Sequence, residues 1–240
     1  MDIIYQGMAE ILRWLFELSS MIGLPYWGMA IILFTIIIKL ILYPLTWKQT
    51  VSMRKMQELQ PKMAQLQKKY ANDKQMLNQK TMEMYSEEKV NPYSGCLPIL
   101  VQLPILWIFY RTLANFPYGT GEAVTFLGFN ITQAYGFQLS WHLILPIIAG
   151  LTSYVMSKVS MSMNKQQTKP GAKKDAQQAA ADSTQKMMLY FMPIFMAYIV
   201  ITLPSGLGFY IVTMNIVSIL QTVYIYKKLD QQKQKAASGD

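Results

Sequence analysis

The chain has 240 residues, a net charge of +9, 52% hydrophobic residues and only 15% charged ones. That balance excludes an ordinary soluble domain, which carries about a quarter charged residues. A single cysteine, Cys96, excludes an intrachain disulfide and a cysteine-based metal cluster.

Residues 1–25 come first. Ile4, Met8, Ile11, Leu15, Leu18 and Ile22 follow a helical period, with Asp2, Gln6, Glu10, Arg13 and Glu17 opposite. This predicts an amphipathic helix lying on the outer membrane surface. It lacks the basic start and cleavage site of a signal peptide. Residues 26–47 read as the first span, Trp27–Trp47, with Lys39 inside it. A lysine at the centre of a span costs about 2.5–3.5 kcal/mol on insertion scales. It lies eight residues, or about 12 Å, from Trp47, farther than its side chain reaches.

Residues 48–92 read as a cytoplasmic helical hairpin. Met56, Leu59, Met63, Leu66 and Tyr70 form a seam, "ANDK" at 71–74 is a turn, and Leu77, Thr81, Met84 and Glu88 line a second helix. The hairpin is read either as a structural linker or as a docking arm.

Residues 93–226 hold four more apolar runs: Leu97–Asn115, Leu139–Ser157, Met187–Leu203 and Leu207–Tyr226. Each approaches the length needed to cross about 30 Å of hydrocarbon. Pro204 and two glycines in "LPSGLG" separate the last two. Between the runs, 116–138 holds no Lys or Arg and reads as an outer loop. Residues 164–185 and the tail 227–240 read as flexible cytoplasmic segments.

The charges set the orientation. Nine Lys or Arg fall between the first two spans, six between the third and fourth, and four in the tail. Nineteen of 22 cations thus share one side, which places the N-terminus outside and the C-terminus in the cytoplasm. Such a distribution points to a membrane and away from DNA. The expected fold class is an all-α integral membrane protein with five transmembrane helices.

All six aspartates and every glutamate lie outside the spans, so Lys39 has no intramembrane carboxylate partner. Thr35 is one turn before it, and Gln102, Asn215, Ser218 and Gln221 lie in other spans. Polar groups at that depth face one another or water, which predicts a polar recess open to the cytoplasm. Any single amide is as readily interhelical glue as a ligand contact. The one histidine, His142, stands near the outer end of a span. No catalytic motif, phosphate-binding loop or metal-ligand set appears, so neither an enzyme activity nor a cofactor is expected.

"NPYSGCLPILVQLPILWIFY" at 91–110, "LPSGLGFYIVTMN" at 203–215 and the charged first span closely resemble the YidC family of membrane protein insertases. The resemblance covers all five spans and the hairpin, and suggests a bacterial, Gram-positive-type member in the cytoplasmic membrane. It implies a groove with one positive charge on the first span, usually arginine and here Lys39, lined by Thr35, Gln102 and Tyr210 at matching positions. Asn215 joins them by its depth in the fifth span. Lysine keeps the charge and loses the bidentate fork. The implied partners are nascent membrane proteins, the lipid bilayer and the Sec translocon. The tail lysines suit rRNA phosphates, which adds the ribosome and the signal recognition particle pathway as candidates. A small-solute transporter is the rival reading, but there is no inverted repeat and no second intramembrane ionisable group to couple an ion. A scaffold that works only through its hairpin is the other.

Overall fold

The computed structural model describes residues 2–91, 97–116, 122–162 and 187–238. Among the described residues the chain is mostly helical. Its elements are α1 (Asp2–Met21), α2 (Trp27–Ile41), α3 (Tyr43–Glu58), α4 (Gln60–Lys69), α5 (Lys74–Glu87), α6 (Leu97–Asn115), α7 (Ile144–Ser162), α8 (Met192–Thr202) and α9 (Ser205–Ser238). Two short strands, β1 (Thr125–Phe126) and β2 (Phe129–Asn130), pair antiparallel between α6 and α7. On length and composition, Trp141–Met161 and Ser205–Lys235 suffice to cross a membrane, and α2 with α3 makes a third if that bent pair is one span. The loop expected at 164–185 and residues 92–96 of the first motif lie outside the described residues.

Helix α1 has three faces. Leu12, Leu15 and Ser19 are buried and Gln6, Glu10, Arg13 and Glu17 are exposed, as the polar pattern predicts. The buried stripe is not the expected line, however. Ile11 and Trp14 are 49% and 60% exposed, and Leu18 and Ile22 are exposed too. They form an apolar wedge between the buried and polar faces, the arrangement of a helix that rests on protein on one side and lipid on another.

The first span is shorter than expected. It does not run straight to Trp47: α2 ends at Ile41, and α3 leaves at 59°. Pro44 is the cause. It has no N–H to give back to the preceding turn, and it disfavours helix before it, yet it suits the first turn of α3. The hairpin seam breaks in the same way at Leu59, where Pro61 opens α4. Helices α4 and α5 pack through Leu59, Met84 and Val90, with Met56, Met63 and Leu66 beside them. Asp73 caps α5 by accepting from the Met76 N–H at 2.9 Å. Lys89, at φ 52°, closes it in a Schellman turn through Val90 N–H to Tyr85 and Lys89 N–H to Ser86.

The later elements also shift. α7 begins at Ile144 after a 3-10 turn at Trp141–Leu143, and a π-helical turn at Met187–Phe191 precedes α8. The tail is a correction to the expected flexible segment. α9 continues as helix through Ser238 because its polar end is packed. Arg54 of α3 bonds Asp230 at 2.5 Å and lies 3.5 Å from Glu58, which Lys233 also pairs. Gln57 donates to the Tyr226 hydroxyl at 3.2 Å, and Lys228 sits over the Trp47 ring.

The apolar core occupies one end of the bundle. It gathers Leu12 and Leu15, Trp27 to Phe34, Phe109 to Phe116, Leu145, Ala149, Val200 and Leu207 to Ile211. The β1–β2 hairpin seals this end: Phe126, Phe129 and Ile131 are buried, and Ser205 Oγ donates to the Asn130 carbonyl at 2.6 Å. Gly28 is glycine because a Cβ there would run into the Phe126 ring.

Candidate functional site

Away from the capped end the interior changes character. The buried residues there include Thr35, Gln49, Thr50, Ser153, Asn215, Ser218, Gln221 and Thr222, with Ile225 and Tyr226 beyond them. Lys39 belongs to this half. It sits in the last turn of α2, where a cation is favoured by the helix dipole, rather than in mid-helix as a span to Trp47 would place it. Its side chain is half-buried, and among the described residues no carboxylate pairs with it.

The neighbouring helices supply amides and hydroxyls. Thr35, one turn back on the same face, is buried and donates to the Ile31 carbonyl at 2.7 Å. Gln102 of α6 donates to the Tyr210 hydroxyl of α9 at 2.5 Å. Tyr210 is buried and its ring lies 4.8 Å from Phe109, which stacks on Phe34 at 5.6 Å. Helix geometry explains why these meet. Tyr210 and Gln221 are eleven residues apart, about 20° from one face of α9, and that face looks toward α6 and α2. Gln221 Nε2 donates to the Lys39 backbone carbonyl at 2.9 Å.

Asn215 stands apart, turned about 140° from Tyr210. It donates to Ser153 Oγ at 2.8 Å and Thr152 Oγ1 at 3.2 Å, which ties α9 to α7. The structure thus brings Gln102 and Tyr210 into direct contact, puts Thr35 on the Lys39 face and places Asn215 against α7. Sequence reading missed the Gln221 bond, the Thr152–Ser153 partners and the Arg54 network. Pro44 signals the break beside Lys39, but no local pattern signals a partner 182 residues away.

The second polar cluster is at the capped end. His142 stacks on Tyr135 at 3.8 Å, and its Nδ1 lies 3.1 Å from Ser140 Oγ. Phe129, Leu145, Val200 and Ser205 close a small cavity around it. This is an aromatic plug, in which the imidazole meets the rings of Phe129, Tyr135 and Trp141 and the Ser140 hydroxyl. Among the described residues no group of three or more His, Cys, Asp and Glu is placed to hold a metal.

Outside, the helices are apolar where they meet the surroundings. Leu100, Leu103, Ile147, Leu151, Ile194 and Leu220 are all exposed. A belt of this size on a folded helical chain fits lipid, not water.

The 60Kd inner membrane protein family model matches residues 17–233. Similar chains carry the description membrane protein insertase YidC. One from Fusobacterium nucleatum is 38% identical over 95% of this chain and 99% of its own length. One from Caldanaerobacter subterraneus is 35% identical over 92% of this chain and 96% of its own. One from Haemophilus influenzae is 36% identical over 94% of this chain but only 38% of its own, and the Anaeromyxobacter and Francisella relatives are likewise matched over about a third of their length. A match across both halves of the bundle, from α1 to the polar end of α9, places this chain in the 60Kd inner membrane protein family, that of the YidC insertases.

Proposed function

We propose that the chain is a membrane protein insertase of the bacterial cytoplasmic membrane, with five spans, its capped end outside and its α3–α5 arm in the cytoplasm. The observation that carries this reading is the split interior: an apolar core sealed by β1–β2 at one end and, at the other, buried polar side chains beside Lys39, which no carboxylate pairs among the described residues. A groove built this way is closed outward and open inward.

The polar, often acidic, terminal segment of a nascent membrane protein enters this half and supplies the anion Lys39 lacks. At an effective dielectric near 20, two charges about 4 Å apart attract by about 4 kcal/mol, against about 1 in bulk water. Gln102, partly exposed, replaces part of the segment's hydration, while Thr35, Tyr210 and Asn215, buried and hydrogen-bonded, form the polar wall behind it. The hydrocarbon left to cross is thereby shortened. The membrane potential moves an anionic tail outward with about 2.3 kcal/mol per charge per 100 mV. The substrate's apolar helix then passes along the exposed faces of α2, α6 and α9 into lipid, and its burial drives release. No nucleotide enters the scheme. The Sec translocon, the ribosome and the signal recognition particle pathway are partners at the arm and the α9 end.

Photo-crosslinkers at positions 35, 39 and 102 test this. A ribosome-stalled membrane protein is expected to crosslink at all three and not at exposed Leu151. Equal labelling from Leu151, or none from the three, overturns the groove.

A further inference from the structure

We propose that Gln221 is a positioning residue: it caps a backbone carbonyl that the bend after α2 leaves open, and so fixes the helix end that carries Lys39. In an unbroken helix the Lys39 carbonyl accepts from the N–H four residues on, that of Tyr43. Here Tyr43 begins α3, the Leu42 N–H turns back to Ile38, and the Lys39 carbonyl accepts from Gln221 Nε2 at 2.9 Å. The end of a helix leaves such carbonyls without intrahelical partners, and inside a membrane no water meets them cheaply.

The amide orientation follows from its chemistry. Reversed, it would set one carbonyl oxygen against another, so the nitrogen must face Lys39. Its own oxygen, Oε1, is buried without a hydrogen-bond partner among the described residues. Gln221 is only 8% exposed. It therefore holds a buried, half-satisfied amide in place for the sake of the bond to α2. One turn and more beyond it, α9 grips α3 through Tyr226, Asp230 and Lys233. Those contacts fix the arm; Gln221 fixes the joint between arm and span.

The consequence for insertion rests on the insertase reading, while the joint itself does not. The test uses the full chain in nanodiscs with Cys96→Ser and spin labels at Met82→Cys on α5 and Leu139→Cys at the capped end, both exposed. Gln221→Met keeps the length and removes the amide; Gln221→Asn keeps the amide but is too short to reach. Both are expected to broaden the interlabel distance distribution. Gln221→Met is also expected to slow insertion of an acidic-tailed substrate about tenfold, the size of one hydrogen bond. Pro44→Ala gives residue 44 an N–H for the Leu40 carbonyl and lets α2 run on through Tyr43, whose N–H then reaches the Lys39 carbonyl, so Gln221→Met added to it should broaden nothing further, a non-additive pair. Lys39→Ala keeps the carbonyl and should leave the distribution narrow.

Unchanged distributions in both Gln221 variants overturn the inference. So does equal broadening with and without Pro44→Ala, which would assign Gln221 to general packing. Broadened distances in the two Gln221 variants, together with normal insertion by the Lys39→Ala protein, would uphold the joint and sink the electrostatic insertase reading instead.

Discussion

Lys39 shows how a costly residue is made tolerable. The break at Leu42 puts it in a last helical turn, where the dipole favours it and where water on the arm side is near. Tyr210 and Gln102 illustrate the same logic for neutral groups, each meeting the other's need across two helices. Tyr210→Phe leaves the Gln102 amide short of a partner. It should cost about 0.6–1.7 kcal/mol, the range for such bonds in membranes, read as the shift of unfolding in detergent. Leu127 offers the opposite sign. It occupies the β1–β2 turn at φ 50°, followed by Gly128 at φ 82°, and its side chain is 72% exposed. Leucine is strained there and contributes little packing. Leu127→Asn should therefore raise stability by about 0.5–1 kcal/mol in the same measurement.

Among the elements, α9 is the longest and does two jobs, since its first half closes the core and its last half splints α3. Exposed ion pairs are worth about 0–1 kcal/mol singly. Arg54 is better covered than its partners, with 15% of its side chain exposed against 61% for Asp230, and it also lies over the Tyr226 ring. Arg54→Ala should therefore lower stability by about 1 kcal/mol and speed amide exchange over 227–238, where Asp230 and Glu58 lose their common partner. The tail illustrates what a sequence hides: its composition is that of a flexible segment, and only contacts with residues some 170 positions earlier keep it helical. Neither Pro44 nor Pro61 figures as a breaker in the sequence reading, because the apolar run past Pro44 and the heptad seam across Pro61 masked both breaks. The α1 face was misread by one helical step because Leu12 and Ser19, not Ile11 and Leu18, meet the bundle. Periodicity alone does not say which apolar stripe touches protein and which touches lipid. Lys39, Thr35, Gln102, Asn215 and Gln221 were readable as polar groups within the apolar runs, and Tyr210 came only through the family resemblance; which of them touch was not readable, because facing depends on helix rotation.

At the scale of the molecule, one sealed end and one polar end make the bundle asymmetric along its length. The seal is aromatic: Phe129 packs on Trp141, Phe209 and Tyr135. Phe129→Ala should cost about 3–5 kcal/mol and let ions leak through liposomes that the parent leaves tight, as a dye-flux assay would show. In the proposed insertase this asymmetry gives Lys39 its direction, since an anion drawn to it would arrive from the arm side.

The most direct measurement is protease-protected insertion of a single-span substrate with an acidic tail by proteoliposomes carrying Lys39 variants. Lys39→Arg should insert it at close to the parent rate, Lys39→Ala about tenfold more slowly and Lys39→Glu more slowly still, with an uncharged-tail substrate changing far less, because a charge pair at this depth outweighs one in water. Normal insertion of the acidic substrate by the Lys39→Glu protein would contradict the account.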